Sequence, residues 1–282
     1  PSGSSWTITY FRYFPYTGTE GCDPETALTY SGGRLWGTTK GGGSSGQGTV
    51  FSMDTSGDGF QSESFTGNNG SQPLSAFSSW GYGTTYSGGE NSKGNLYKLD
   101  PVMGLISKYS FKVDGKEGYA PMGNLLTLYV GGLRTIYGTT SAGGAGGGGT
   151  IYRLTEAQPN SDRWRVTVLH SFSSSGNGTG PAPKAGLTAD AAGNLYGTTE
   201  RGGLNGTSIW GGERRSDCGT VFKLSPGKDG KWTHTVLHSF DSYNEEGCHP
   251  TAGVALDGAG HLYGTTTAGG WYSVGTVYEI IP

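Results

Sequence analysis

Stretches with a helical pattern are missing from this 282-residue chain. No amphipathic run with a 3.6-residue period appears, which excludes the all-α and α/β classes. No apolar run approaches the roughly 20 residues that a membrane-spanning helix needs. Charge is sparse and balanced: the net value is −3 and Lys and Arg are scattered. A nucleic-acid partner, which requires a basic stripe or patch, is thereby excluded. The histidines and the three cysteines, Cys22, Cys218 and Cys248, lack zinc-ligand spacing. There is no Gly-x-Ser-x-Gly elbow, which argues against a serine hydrolase. No charged and apolar leader pattern stands at Pro1, so any signal peptide is expected to have been removed or never included.

Glycine, in contrast, is abundant, with 55 residues, nearly three times the usual share of about 7%. There is no Gly-X-Y period, so collagen is excluded. The glycines separate short Val/Ile/Leu/Tyr/Phe/Thr runs, the pattern of an all-β chain with many hairpins. They also fall in register. Gly-Thr-Thr begins at Gly37, Gly83, Gly138, Gly197 and Gly264, at intervals of 46, 55, 59 and 67 residues. Each copy is followed by Gly-Gly and a short apolar strand, and preceded by Gly-x-x-Pro at Gly21, Gly70, Gly118, Gly180 and Gly247. Periods of this size belong to solenoids, propellers and other arrays.

Each unit reads as four strands: A after Gly-x-x-Pro, B through Gly-Thr-Thr, C as in Thr276–Ile280, and D as in Thr235–Phe240. Four-stranded units that cannot bury both faces alone close radially into a propeller. The expected fold is a five-bladed β-propeller in one domain over 1–282, with repeats near 15–66, 67–111, 112–172, 173–240 and 241–282. The last repeat lacks strand D, whereas Ser5–Phe14 reads as an orphan D strand. That segment is expected to complete the last blade by pairing with Thr276–Ile280.

The pattern Leu-Tyr-Gly-Thr-Thr-x-x-Gly-Gly followed by Gly-Thr-Val-Phe-x-Leu, best seen in Leu195–Leu224 and Leu262–Ile280, resembles the GloVer (Gloeobacter/Verrucomicrobia-type) tandem repeat. The resemblance covers nearly the whole chain and is weakest over Gly81–Leu99. It implies an exported or surface-anchored, propeller-like protein and assigns no activity to particular residues.

Departures from the repeat carry the functional signal, because insertions collect on the binding face. The fourth copy holds a long B–C insertion, Leu204–Cys218, and the third an extended A–B region, Leu126–Thr135. The residue before Gly-x-x-Pro is Glu20, Glu117 or Glu246 in three copies. Carboxylates converging on the channel mouth suit general acid/base work or cation binding, with a solvated loop acid as the plainer alternative. Asp23 and His249, each before a proline, and Glu200 join them. Trp210, Tyr243, Trp271 and Tyr272 lie outside strands and could stack on sugar faces. Trp36, standing for the strand-B tyrosine, reads as inter-blade packing.

The expectation is a secreted or cell-surface, monomeric protein acting on a polysaccharide or oligosaccharide. It is either a glycoside hydrolase with Glu20, Glu117 and Glu246 as catalytic carboxylates, or a non-catalytic glycan-binding propeller. No cofactor is required, and a calcium ion is the one addition the acids leave open. One disulfide and one free thiol fit an exported chain. Cys22 and Cys248 share a repeat position, but the insertion must be tied down, which favours Cys218–Cys248.

Overall fold

The computed structural model describes residues 7–16, 18–112, 116–161, 163–174, 182–203, 217–241 and 246–282. Among these there is no helix; nineteen strands form five small antiparallel sheets, set around a ring in the manner of a five-bladed propeller. The first sheet has β1 (Thr29–Ser31), β2 (Arg34–Thr39), β3 (Thr49–Asp54) and β4 (Gln61–Ser64). The second has β5 (Tyr82–Thr85), β6 (Asn95–Asp100) and β7 (Gly104–Ser110). In the third, β8 (Tyr119–Pro121) and β9 (Leu126–Val130) both pair with β10 (Leu133–Ala142), followed by β11 (Gly147–Glu156) and β12 (Trp164–Ser173). The fourth has β13 (Thr188–Ala189), β14 (Leu195–Thr199), β15 (Thr220–Pro226) and β16 (Trp232–Ser239). The fifth has β17 (Ala255–Leu256), β18 (Leu262–Thr265) and β19 (Val277–Ile280).

The first glycine of Gly-Thr-Thr is needed for close approach rather than for a turn. A Cβ at Gly138 would lie 2.4 Å from the Tyr152 hydroxyl, and one at Gly264 would lie 2.2 Å from that of Tyr278. The aromatic of strand C thus lies across the glycine of strand B. The second threonine closes the hairpin by bonding the first of strand C: Thr39–Thr49 at 2.8 Å, Thr140–Thr150 at 2.9 Å, Thr199–Thr220 at 2.8 Å and Thr266–Thr276 at 2.9 Å.

Gly-x-x-Pro joins one sheet to the next. Its third residue takes a left-handed backbone in every copy: Asp23, Gln72, Ala120, Ala182 and His249 have φ between 56° and 63°. This conformation is uncommon for non-glycine residues, and here it turns the amide back toward the preceding sheet. Gln72 N–H donates to Gln47 O at 2.9 Å, Ala120 to Lys93 at 2.9 Å, Ala182 to Gly148 at 2.8 Å and His249 to Cys218 at 2.8 Å. Beneath each stitch lies an apolar cluster. Phe65 on Tyr97, Phe111 on Tyr152, Phe172 on Phe222 and Phe240 on Tyr278 have ring centroids 4.9, 5.1, 5.5 and 5.0 Å apart.

Among the described residues the expected closing ladder of Ser5–Phe14 on Thr276–Ile280 is not formed; Ser5 and Trp6 lie outside them. Residues 7–14 belong to no strand. Phe14 does occupy the place of a D-strand phenylalanine, 5.0 Å from Phe51, and the Arg12 guanidinium lies 4.2 Å over Phe60. This anchors the segment on the first sheet, but nothing among the described residues ties it to β19. Val277 is 82% exposed, whereas its repeat equivalents Val50, Leu96, Ile151 and Val221 are at most 1% exposed. The ring is therefore open between the fifth and first sheets. The four-strand expectation also yields in the second and fifth sheets, where three strands form.

Candidate functional site

The three glutamates sit in equivalent surroundings. Each side chain accepts a hydrogen bond from the residue eight positions earlier: Glu20 from Arg12 of the N-terminal segment, which forms no strand, Glu117 from Tyr109 of β7, and Glu246 paired with His238 of β16 at 3.0 Å. Each backbone carbonyl accepts a strand-C threonine hydroxyl, Thr49 at 3.3 Å, Thr150 at 2.8 Å and Thr276 at 2.8 Å. At Glu117 and Glu246 a clamp thus runs from strand D through the D–A loop to strand C of the next sheet, and at Glu20 it runs to the first sheet from the N-terminal segment. Among the described residues no hydrogen bond or ion pair connects Glu20 with Glu246.

Glu200 and His249 do come together, at the joint of the fourth and fifth sheets. The Glu200 carbonyl lies 3.0 Å from His249 Nδ1, and its carboxylate pairs with Lys184 at 2.7 Å. The Cys218–Cys248 disulfide crosses the same joint with Cα atoms 4.4 Å apart, leaving Cys22 as the free thiol. Next to that thiol is Asp23, whose carboxylate is 3.8 Å from the sulfur. Burial, with the Asp23 charge added, holds the thiol above its ordinary pKa, so the thiolate is disfavoured. On the last B–C loop, Trp271 and Tyr272 are 75% and 82% exposed. Trp210 and Tyr243 lie outside the described residues. No group of three or more His, Cys, Asp or Glu side chains among the described residues is placed to hold a metal ion.

A cavity of about 910 Å³ opens on the other face of the ring, between the A–B and C–D turns of the first and second sheets. Trp36, Phe77 and Trp80 line it together with Gln61, Glu63 and Lys98. The Trp36 indole is held by its Nε1–H to Ser31 O at 3.1 Å and by stacking on Phe77 at 5.1 Å. Trp80 leans on Tyr129 at 4.9 Å, so the extended A–B region of the third repeat supports the cavity wall. Trp36 does pack between blades as expected, and it also borders open space. What marks it in sequence is the exchange of the repeat's tyrosine; Gln61 and Glu63 carry no such mark.

The profile of the Gloeobacter/Verrucomicrobia repeat matches residues 77–209, from the second sheet into the fourth. Residues 77–209 carry that repeat. Among curated proteins none matches. Of the solved structures, a provisionally assigned 6-phosphogluconolactonase from Bacteroides uniformis is 12% identical with a TM-score of 0.45, over 92% of this chain and 85% of that one. The GH43B protein of a Bacteroides ovatus xyloglucan PUL is 16% identical with a TM-score of 0.36, over 85% of this chain and 43% of that one. At these levels the chemistry of neither transfers to this chain.

Proposed function

We infer that this is an extracellular glycan-binding propeller, monomeric, that presents its D–A and B–C loops to a polysaccharide or oligosaccharide without cleaving it. The observation that carries this reading is the threefold clamp of Glu20, Glu117 and Glu246. A hydrolase working through these residues needs carboxyls free to exchange protons with substrate. The same bond to the residue eight positions earlier, in three copies, is what a scaffold position requires. Trp271 and Tyr272 supply the exposed aromatic faces on which sugar rings stack, beside a loop held by the Cys218–Cys248 bond. That bond also supports an oxidising, extracellular setting.

Affinity electrophoresis through gels containing single polysaccharides tests the reading, with reducing-end release assayed on the same substrates. Retardation without release is expected, and Trp271→Ala should weaken the retardation. Release of reducing ends that disappears in Glu246→Gln would instead establish the hydrolase.

A further inference from the structure

The cavity on the opposite face owes its existence to a missing piece of the repeat. In the third sheet the C–D ladder runs out to the pair Glu156↔Trp164, and in the fourth to Pro226↔Trp232. Each tryptophan packs on the strand-B tyrosine of the preceding sheet: Trp164 lies 5.4 Å from Tyr82 and Trp232 lies 6.4 Å from Tyr137. The inter-blade space is filled there by an indole. In the second sheet the ladder ends one pair short, at Asp100↔Gly104, and the preceding residue, Met103, is 75% exposed. No strand-D ring therefore covers Trp36, the residue equivalent to Tyr82 and Tyr137. The first sheet's own outer strand is also short, four residues in β4 against ten in β12 and eight in β16. The gap between the two sheets stays open, with a volume at the upper end of the range for small-ligand sites.

The lining narrows the class of ligand. An anion is disfavoured, because Lys98 is the one cation among the lining residues, which also include the carboxylates of Glu63 and Asp100. A wholly apolar ligand would desolvate Gln61, Glu63 and the Ser31 and Ser79 rim without replacing their hydrogen bonds, which costs more than the aromatic contact returns. A neutral polyhydroxylated ring with one apolar face meets both demands. It can lie on Trp36 or Trp80 while its hydroxyls reach Gln61, Glu63 and Lys98. The two sides of the rim meet where Ser31 Oγ–H donates to Ser79 O across the two sheets at 3.4 Å.

We propose that the cleft between the first and second sheets is a second binding site, taking a pyranose unit of an oligosaccharide against Trp36 and Trp80. It is separate from the Trp271 loop face and does not depend on that face binding anything. The test follows the indole N–H resonances of the 15N-labelled protein during titration with cellotetraose, xylotetraose or mannotetraose. Saturable movement of the Trp36 and Trp80 signals with at least one of these is expected. Gln61→Ala and Glu63→Gln, at exposed positions of a short edge strand, should weaken the binding about two- to tenfold, with the backbone amide signals of Tyr97 and Tyr152, buried residues outside the cavity lining, unchanged as a control for folding. Trp80→Ala should weaken it by a similar factor, and Trp271→Ala should leave these shifts intact. The proposal is overturned if neither indole moves with any of the three sugars, if tetramethylammonium moves them and the sugars do not, or if the movement is lost on Trp271→Ala alone. That last result would support the loop face and remove only the cleft.

Discussion

His170 and His234 stack across the joint of the third and fourth sheets, with ring centroids 4.2 Å apart and planes 8° from parallel. Phe172 and Phe222 pack around the His234 ring, and neither Nε2 has a hydrogen-bond partner. Burial holds both imidazoles neutral. The pKa of His170 is lowered, and that of His234 is brought down to about 4 by desolvation and then by the charge on His170.

Folding stability should therefore depend on pH in a defined window. The unfolded chain takes up protons near pH 6.5, whereas folded His234 does so only near pH 4 and folded His170 below its ordinary range, so the contribution is complete above about pH 6.5 and lost as pH falls toward 4. A loss on the order of 2 kcal/mol between pH 7 and pH 4 is expected. In His234→Val, with the residue found at the equivalent Val166, urea midpoints should vary less over that range. An equal slope in both proteins would place the titrating group elsewhere.

Gly138→Ala should destabilise the third sheet by roughly 2 kcal/mol or more, because the new methyl meets the Tyr152 hydroxyl. Tyr152→Phe should be neutral or stabilising, since the buried hydroxyl has no partner and Phe stands at the equivalent Phe51 and Phe222. The double variant should recover part of the loss. Thermal melts of the four proteins form the cycle, and strict additivity would show that the ring edge is not what the methyl meets.

Reduction of Cys218–Cys248, or Cys218→Ser, should cost about 2–4 kcal/mol for a loop closed over 30 residues. The loss should concentrate at the joint of the fourth and fifth sheets, where His249 N–H bonds Cys218 O. Faster amide exchange at His249 than at Gln72 after reduction is the expected readout.

Val277→Lys should leave the melting temperature nearly unchanged, whereas Val221→Lys, at the buried equivalent place, should abolish folding. Strong destabilisation by Val277→Lys would mean that the open edge is covered in solution.

The repeat, its five copies, the all-β class and the phase of the strands are legible in the chain, because steric and hydrogen-bonding demands recur at each Gly-Thr-Thr and Gly-x-x-Pro. The Cys218–Cys248 pairing was favoured for a reason also visible in the chain, the need to tie down the fourth insertion. The role of Glu20, Glu117 and Glu246 is not legible there, since their partners Arg12, Tyr109 and His238 are three different residue types that share only their place eight positions before the glutamate. The open ring and the cleft at Trp36 were decided by tertiary structure alone. Whether an edge is covered, or an indole reaches the neighbouring sheet, depends on where the C–D ladder ends. One pair of residues, present at Trp164 and Trp232 and absent beyond Gly104, separates a filled joint from a cavity.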